Sequence, residues 1–298
     1  MENDYSTANI FKNEEAERNS KTELSESIRF DSAGYTYGKV DIINLQHIVQ
    51  IYKGKKSDFV LFEDLNLDIK DFENMGQFVS IMGASGCGKS TILRYISGLQ
   101  QPTQGKVLIY GKEKSEKETI PMVFQQYSSL PWKTVLDNIA LPLLMKGVSK
   151  QESYEKAQDM IRIVGLTGHE HKWAKYPLLS GGQLQRVAIA RNLIASPQIL
   201  LMDEPFGALD ITTRTNMQHT LLTIFNDDTL PDPTVIFVTH DIAEAVLLSN
   251  RIYIMAANPG RIHTIVDIDL PKGRDVSLKK SERLNEYVNY IDELMNSI

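Results

Sequence analysis

Cysteine, long apolar stretches and excess positive charge are all scarce in this sequence. Its 298 residues include a single cysteine, Cys87, which excludes an intrachain disulfide framework and favours a reducing compartment. No run approaches the roughly 18 apolar residues of a membrane-spanning helix, and no basic, apolar leader opens the chain. We therefore expect neither a membrane span nor a secretory signal. The net charge of −6 argues against nucleic acid as a partner.

What remains is the composition of a globular protein, with 42% hydrophobic and 23% charged residues. Residues 1–40 are an exception, because their apolar residues are sparse and aperiodic and acids outnumber bases. Such a segment buries too little surface to offset the entropy of ordering. We predict a flexible tail over residues 1–40, a main domain over residues 41–270 and a C-terminal helical extension over residues 271–298.

The hydrophobic pattern of the main domain predicts an α/β fold. Strand-like segments at residues 42–45 and 60–62 lead to residues 65–69, where apolar and polar side chains alternate, as is typical of strands with one solvated face. Short apolar runs separated by helical stretches then predict a largely parallel sheet. These runs lie at residues 78–82, 106–110, 199–202, 235–238 and 252–255. Residues 134–180 interrupt this alternation of strands and helices and predict a helical subdomain. Within it, we expect residues 134–177 to be wholly helical.

A glycine-rich segment follows the first buried run and precedes a helix. It satisfies the pattern G-x-x-x-x-G-K-S/T and comprises Gly83, Ala84, Ser85, Gly86, Cys87, Gly88, Lys89 and Ser90. Glycines let backbone amides converge on phosphate oxygens, and the helix that follows directs its positive end at the same anion. Lys89 can supply a full charge to the β- and γ-phosphates, and the Ser90 hydroxyl can bind Mg²⁺. The segment therefore predicts a nucleotide-phosphate site, with a chance glycine-rich turn as the alternative.

Two neighbouring acids, Asp203 and Glu204, end the buried run 199–202. Ligands bind at the carboxyl ends of strands in α/β sheets, so beside a phosphate loop these acids predict a site rather than two solvated side chains. Asp203 is placed to hold Mg²⁺, and Glu204 is the better candidate for polarising an attacking water. His240 follows the run 235–238, where a neutral imidazole can contact the γ-phosphate, although a lone histidine after a strand is more often structural.

A further segment carries a family resemblance. Leu179, Ser180, Gly181, Gly182 and Gln183 resemble the signature of ATP-binding-cassette (ABC) ATPases, and the motif order is similar to that family from about residue 41 to residue 270. The resemblance implies a P-loop NTPase α/β core with an antiparallel β subdomain and a helical subdomain insert. It also implies an ATPase that uses ATP and Mg²⁺.

The resemblance implies roles for residues that the patterns alone leave open. Tyr52 is similar to the aromatic residue that stacks on adenine, and Thr91 completes the phosphate loop. Gln125 is similar to the glutamine that senses Mg²⁺ and the attacking water, which makes it both a catalytic and a metal-site candidate. Asp210 is similar to the aspartate of the D-loop.

The signature is interpretable as a second anion site, because Ser180 and two glycines open a helix whose first amides are free. In the family this site contacts the ATP held by another subunit. The resemblance thus implies a second cassette, identical or a paralogue, with two ATP molecules buried between head-to-tail domains. ATP binding then closes the dimer and hydrolysis reopens it.

Two stretches, residues 125–135 and 257–262, resemble importer ATPases for nitrate, sulfonate, taurine and bicarbonate. The resemblance implies a peripheral protein at the cytoplasmic face of the membrane, which drives a separate permease supplied by an extracytoplasmic solute-binding protein. Trp132 is a candidate permease anchor, since a large aromatic side chain in a loop suits an interface pocket. A core tryptophan is the alternative reading.

Other functions stay open at this point. A soluble ABC ATPase that does not serve transport usually carries two cassettes or a long coiled-coil insert. A related importer ATPase can serve a different solute, such as a thiamine precursor. A small-molecule kinase would leave the signature and His240 unexplained, and an exporter cassette is normally fused to membrane spans.

Overall fold

The computed structural model describes residues 37–72, 76–115, 118–126, 128–207, 209–226, 233–271 and 273–298. Most of the tail predicted over residues 1–40 lies outside these described residues, and residues 37–40 belong to the first strand. Within the described ranges, no helix combines the length and the apolar character needed to cross a membrane.

One sheet is antiparallel and has the order β2-β1-β4-β5. Its strands are β1 (Tyr37–Tyr52), β2 (Phe59–Phe72), β4 (Gln104–Ile109) and β5 (Lys112–Glu113). Alternation along β2 buries Leu65, Leu67 and Ile69 and exposes the side chains between them, which is the expected pattern of a strand with one solvated face.

The prediction that residues 106–110 belong to the parallel sheet is wrong. This run lies in β4, which pairs antiparallel with β1 and exposes its first three residues. A short apolar run is compatible with either environment, because it lacks the length that would reveal alternation.

The second sheet is parallel except at one edge and has the order β10-β9-β3-β8-β7-β6. Its strands are β3 (Gln77–Gly83), β6 (Met122–Val123), β7 (Ile199–Asp203), β8 (Thr234–Val238), β9 (Arg251–Ala256) and β10 (Arg261–Asp267). Only β10 runs antiparallel to its neighbour. The register pairs Asp203 with Val238 and Ile81 with Val238, so β3, β7 and β8 end together at one edge of the sheet.

Helices connect and cover these strands. They are α1 (Lys89–Ser97), α2 (Val135–Met145), α3 (Lys150–Ile163), α4 (Gly181–Leu193), α5 (Ile211–Phe225), α6 (Ile242–Leu248) and α7 (Glu282–Asn296), with a 3-10 helix at Val276–Lys280. The expectation of a wholly helical stretch up to residue 177 is wrong beyond α3, because residues 166–179 form turns. Gly165 and Gly168 both have positive φ, a conformation that ends a helix.

Two buried tyrosines link the antiparallel sheet to its neighbours. The Tyr95 hydroxyl on α1 donates to Gln50 Oε1 on β1 at 2.6 Å, and the Tyr253 hydroxyl on β9 donates to the Asp68 carbonyl on β2 at 2.5 Å. Burial raises the pKa of Tyr253 to about 12, so this hydroxyl keeps its proton and remains a donor. The first bond thus fixes α1 to the antiparallel sheet, and the second fixes the two sheets to each other.

The C-terminal segment packs on the same core. Leu284, Tyr287 and Ile291 are buried along one face of α7, which contacts α6. The buried Arg274 donates to the carbonyl oxygens of Ser249 at 2.6 Å and Leu270 at 3.3 Å. A guanidinium bound to several carbonyls satisfies backbone acceptors at the end of α6.

Candidate functional site

The phosphate loop lies between the buried strand β3 and the first turn of α1. Gly86 has a φ of 82° and Gly88, the N-cap of α1, has a φ of 104°. Both angles favour glycine. A Cβ atom on Gly88 would also lie 2.2 Å from the Phe62 ring, so glycine there is required by conformation and by space. The loop thus keeps its backbone open toward an anion at the start of α1.

Lys89 is buried within this loop. Its ammonium group donates to the carbonyl oxygens of Gly83 at 2.8 Å and Ala84 at 3.0 Å. The charge is therefore already placed among the loop atoms and needs only to turn toward a bound phosphate. Cys87 is fully buried beside it, and burial raises the pKa of the Cys87 thiol. A protonated, inaccessible thiol has a structural role in the loop rather than a reactive one.

Ser90 and Asp203 form the oxygen pair that the sequence predicted as a metal site. The Ser90 hydroxyl, at the start of α1, donates to Asp203 Oδ1 at the end of β7 with a distance of 2.9 Å. Burial raises the pKa of Asp203, although the hydrogen bond from Ser90 lowers it. A buried carboxylate with a raised pKa is a group whose charge a cation would stabilise.

The three catalytic candidates converge on one atom. Glu204 Oε2 lies 3.2 Å from Gln125 Nε2 and 3.4 Å from His240 Nδ1. Gln125 follows β6, Glu204 follows β7 and His240 follows β8, so the ends of three parallel strands bring them together. Glu204 has a φ of 43°, which is uncommon for a residue with a side chain. Its amide donates to the Val238 carbonyl at 2.9 Å, which holds this conformation.

The signature opens α4 with a reciprocal cap. The Ser180 hydroxyl accepts from the Gln183 amide at 3.3 Å, and Gln183 Oε1 accepts from the Ser180 amide at 2.9 Å. A Cβ atom on Gly182 would lie 2.3 Å from Thr213 Cγ2 on α5. The glycine therefore permits close packing of the signature helix against α5.

The candidate D-loop aspartate, Asp210, lies at the start of α5. Asp210 is the N-cap of α5, and its Oδ1 accepts from the Thr213 amide at 3.0 Å. Hydrogen bonding from Thr213 lowers the pKa of Asp210, so the capping group is a carboxylate. The signature and Asp210 are thus two parts of one packed region joined by Thr213.

Tyr52 ends β1 as half of an aromatic pair. Its ring stacks on Phe59 with a centroid separation of 6.4 Å and an interplanar angle of 16°. Gln100 Nε2 donates to the Tyr52 hydroxyl at 3.2 Å. Tyr52 and Phe59 remain 39% and 52% exposed, so the ring faces are available for stacking on a planar base. The sequence analysis missed Phe59, and the signal that could have found it is its position opposite Tyr52 across the hairpin.

Comparisons with known proteins agree with this geometry. A family profile described as ABC transporter matches residues 62–207. The uncharacterized ABC transporter ATP-binding protein MJ0412 of Methanocaldococcus jannaschii is 44% identical over 260 residues, which cover 86% of this chain and 94% of that protein. The chain belongs to the ABC transporter family. It is an ABC ATPase with a P-loop NTPase fold.

Relatives with more specific names are also similar to this ABC ATPase. The nitrate import ATP-binding protein NrtD of Synechocystis is 36% identical, with 85% of this chain and 93% of NrtD covered. The aliphatic sulfonates import ATP-binding protein SsuB of Bacillus cereus is 39% identical, with 82% and 92% covered. Among solved structures, the dimeric bacterial ABC transporter cassette MJ0796 matches with a TM-score of 0.65 and 33% identity, covering 77% of this chain and all of that one. A post-hydrolysis state of MJ0796 with ADP and Pi matches with a TM-score of 0.63 and 32% identity.

The residues of the ABC ATPase fit ATP and Mg²⁺. The phosphate loop combines glycines at positive φ with the buried ammonium group of Lys89 at the start of α1. Mg²⁺ prefers oxygen ligands, and Ser90 and Asp203 bring two oxygens together. Gln125 bonds Glu204 through its nitrogen, which leaves its amide oxygen for a cation. Bound Mg²⁺ would supply charge stabilisation at the γ-phosphate.

Two residues support the phosphate loop in a way that the sequence analysis did not predict. The Phe62 ring is fully buried, and Gly260 packs against both that ring and the phosphate loop, since a Cβ atom on Gly260 would lie 2.4 Å from the Cys87 carbonyl. Gly260 also donates to the Leu61 carbonyl at 2.8 Å. The turn 257–260 thus supports the loop from behind. No local pattern signals this contact, because it joins segments far apart in the chain.

His169 is a further residue whose contact the sequence analysis did not predict. As part of an insert loop it is expected on the surface, yet it is half-buried, and its Nε2 lies 3.2 Å from Gln183 Nε2. Because Gln183 also caps Ser180, the histidine ring helps to fix the glutamine of the signature. A histidine in a turn carries no signal of such a contact, which depends on how residues 166–179 fold back onto α4.

Proposed function

We propose that this ABC ATPase is the ATP-hydrolysing subunit of an importer that acts with a second cassette and a separate permease. In this proposal the protein lies at the cytoplasmic face of the membrane, bound through the permease, and an extracytoplasmic solute-binding protein delivers the cargo. The names of the relatives NrtD and SsuB support a small anion such as nitrate or a sulfonate, and taurine and bicarbonate belong to the same class of cargo.

The observation that carries the hydrolytic part is the convergence of Gln125 and His240 on Glu204 Oε2. In the proposed mechanism Glu204 accepts the proton of the attacking water. Gln125 and His240 orient that carboxylate, and His240 also contacts the γ-phosphate. Lys89 and the loop amides bind the β- and γ-phosphates. Each of these groups is fixed by a strand end or a helix start, so little reorganisation is needed during reaction.

The signature supports the need for a second cassette. Ser180 is exposed at the start of α4, where the first helical amides have no intrahelical partner. An exposed helix start with a hydroxyl and two glycines suits a phosphate presented by another molecule, and the similar cassette MJ0796 is dimeric. In a homodimer each pocket would combine Lys89 of one copy with Ser180 of the other.

A complementation experiment tests this arrangement. Lys89→Ala and Ser180→Arg should each abolish ATPase activity, because each homodimer then has two defective pockets. Mixed in equal amounts, half of the dimers are heterodimers with one intact pocket of two, so about a quarter of wild-type activity should return. Absence of recovery, with dimers of both variants formed, would contradict the shared pocket. Wild-type chain that is inactive without another cassette would indicate a paralogue as partner.

A cleft beside Gln125 is the proposed permease surface. This cavity of about 670 Å³ lies between the helical insert and the sheets and is lined by Leu99, Tyr110, Phe124 and Met145 among others. All four side chains are exposed, and grouped exposed apolar residues indicate a protein interface. Phe124 immediately precedes Gln125, so a permease segment seated there would reach the group that bonds Glu204.

Trp132 is a second candidate contact with the permease. It is 66% exposed, which excludes the alternative of a core tryptophan. Its loop is fixed by Lys133, whose carbonyl accepts from the Ala174 amide at 3.0 Å, and by a strand-like bridge between Thr134 and Trp173. A large aromatic side chain presented by a fixed loop suits an interface anchor.

The importer assignment is tested with Trp132→Ala in the assembled transporter. We expect unchanged ATPase activity of the isolated subunit and a loss of transport by about tenfold or more, the scale of a central interface aromatic. Ile265→Ala is the matched control, because this exposed residue lies on β10 at the opposite edge of the sheet from β6. Transport that is equally affected by both changes, or by neither, would contradict the proposed surface.

A further inference from the structure

A buried chain of hydrogen bonds connects the C-terminal segment with the residue before His240. The Lys279 ammonium donates to Gln218 Oε1 at 2.6 Å, and Gln218 Nε2 donates to Glu244 Oε1 at 2.8 Å. The Thr239 hydroxyl donates to the other Glu244 oxygen at 2.5 Å. Gln218, Glu244 and Thr239 are all buried, so solvent does not compete for these bonds.

The orientation of the Gln218 amide follows from its two partners, Lys279 and Glu244. An ammonium group can only donate, so it selects the oxygen of the Gln218 amide and turns the nitrogen toward Glu244. If the amide were reversed, its oxygen would face a carboxylate oxygen, and two acceptors repel. Lys279 and Glu244 thus favour the same orientation of the Gln218 amide, and the bond from Lys279 anchors that side chain so that Glu244 has a donor on each oxygen.

Glu244 acts on His240 through the backbone. Its carboxylate fixes the Thr239 hydroxyl, whose oxygen in turn accepts from the Asp241 amide at 3.1 Å. Asp241 Oδ1 accepts from the Glu244 amide at 2.9 Å, which closes a ring of contacts around His240. The two residues on either side of His240 are thus both bonded to Glu244, Thr239 through the carboxylate and Asp241 through the backbone amide.

Burial raises the pKa of Glu244, while the bonds from Thr239 and Gln218 lower it. Asp241 also raises it and Arg214 lowers it, so the carboxylate depends on its donors to remain charged. Loss of the Gln218 donor would favour a protonated or displaced Glu244. Either change would release Thr239.

We propose that Lys279, in the C-terminal 3-10 helix, is a positioning residue that orients His240 through Gln218, Glu244 and Thr239. The proposal rests on the catalytic role proposed for His240. It gives the C-terminal segment a part in the rate of ATP hydrolysis, although the segment contributes none of the nucleotide-binding motifs. If the C-terminal segment only stabilised the core, it would have no effect on the rate of ATP hydrolysis.

The test compares steady-state ATPase kinetics of the full-length protein with Lys279→Met, Lys279→Arg and Lys280→Met. Methionine keeps the length of the side chain and removes the donor. We expect kcat to fall by about tenfold in Lys279→Met, the scale of one charge-assisted hydrogen bond. KM for ATP should be unchanged, because the phosphate loop is untouched. Lys279→Arg retains a donor and should recover most of kcat, and the neighbouring exposed residue in Lys280→Met should have no effect.

Urea unfolding of each variant and the activity of His240→Ala make the outcomes distinct. Full activity in His240→Ala would refute the proposed role of that histidine. If His240→Ala is inactive but Lys279→Met keeps the wild-type kcat, the proposed role of Lys279 is refuted while that of His240 stands. A Lys279→Met protein that loses stability but keeps kcat would show that the lysine is only an anchor for the C-terminal segment. Failure of Lys279→Arg to restore kcat would contradict the donor argument.

Discussion

Gly260 lies outside every nucleotide motif, yet the structure predicts that Gly260→Ala weakens nucleotide binding. The new Cβ atom would lie 2.4 Å from the Cys87 carbonyl oxygen and 2.6 Å from the Phe62 ring, whereas ordinary contacts begin at 3.4 Å. The backbone of Gly260 is not in the left-handed region, so alanine adds no conformational strain. The cost is steric and falls on the phosphate loop.

The magnitude follows from which atom has to move. A shift of the Cys87 carbonyl by about 1 Å carries the Gly88 amide with it, because the peptide unit is planar. Loss of one amide bond to a phosphate costs about 1.5–3 kcal/mol, or roughly a 10- to 150-fold weaker Kd. Overpacking of the buried Phe62 should lower the free energy of unfolding by about 1–3 kcal/mol.

Calorimetric titration with ATP and urea unfolding separate these two effects. Gly147→Ala is the matched control, since Gly147 has a φ of 82° with nothing within 4 Å of the added Cβ atom. Alanine there should cost about 1–2 kcal/mol of stability through backbone strain and leave the Kd for ATP unchanged. A folded Gly260→Ala protein that binds ATP as tightly as wild type would refute the reasoning.

Two further changes test the surroundings of the site. His169→Ala removes a contact of Gln183 and should reduce ATP-dependent dimerisation, measured by light scattering, about 3- to 10-fold, while monomeric ATP binding is unchanged; an unaltered dimer would contradict a role for His169 at the signature. Glu244→Gln removes a carboxyl group, and burial raises the pKa of that group in the wild-type protein. The stability of the wild type relative to the variant should therefore fall as the pH rises from about 4.3 through the raised pKa, by at most about 1.4 kcal/mol per pH unit. Parallel stability curves for the two proteins over this range would refute that assignment.

The positions of the candidate nucleotide-binding residues could be predicted because these residues lie in short contiguous segments at the ends of strands. The pattern from Gly83 to Ser90 follows a buried strand in the sequence and in the structure. Asp203 and Glu204 end a run of four apolar residues, and parallel strands bring such ends to one edge. The convergence on Glu204 Oε2 follows from that topology, since three strands of the same sheet deliver the three side chains.

The contacts that support the site could not be predicted, because they join segments that no pattern links. Gly260 contacts the phosphate loop although more than 170 residues separate them in the sequence, and Lys279 bonds Gln218, which lies 61 positions earlier. Both depend on the register of neighbouring elements rather than on local propensity. The errors at residues 106–110 and 166–179 have the same origin. A short apolar run does not determine which sheet it joins. A segment of mixed apolar and polar residues within an insert does not determine that the segment is helical.

The structure also constrains how the signature can move relative to Glu204, the candidate catalytic carboxylate. Thr213 packs into the space left by Gly182, and its amide is capped by Asp210, so α4 and α5 share one tight contact. A second connection runs from α4 to the segment of Gln125, because Gln185 Nε2 donates to the Phe124 carbonyl at 3.5 Å and Gln125 in turn bonds Glu204. A rigid-body shift of α4 relative to β7 must therefore disturb the Gly182–Thr213 contact or one of these hydrogen bonds. Since a packed glycine contact resists sliding, we expect the hydrogen bonds to change first. A change at the neighbouring cleft, which Phe124 lines, should then reach Glu204, the group proposed to activate water.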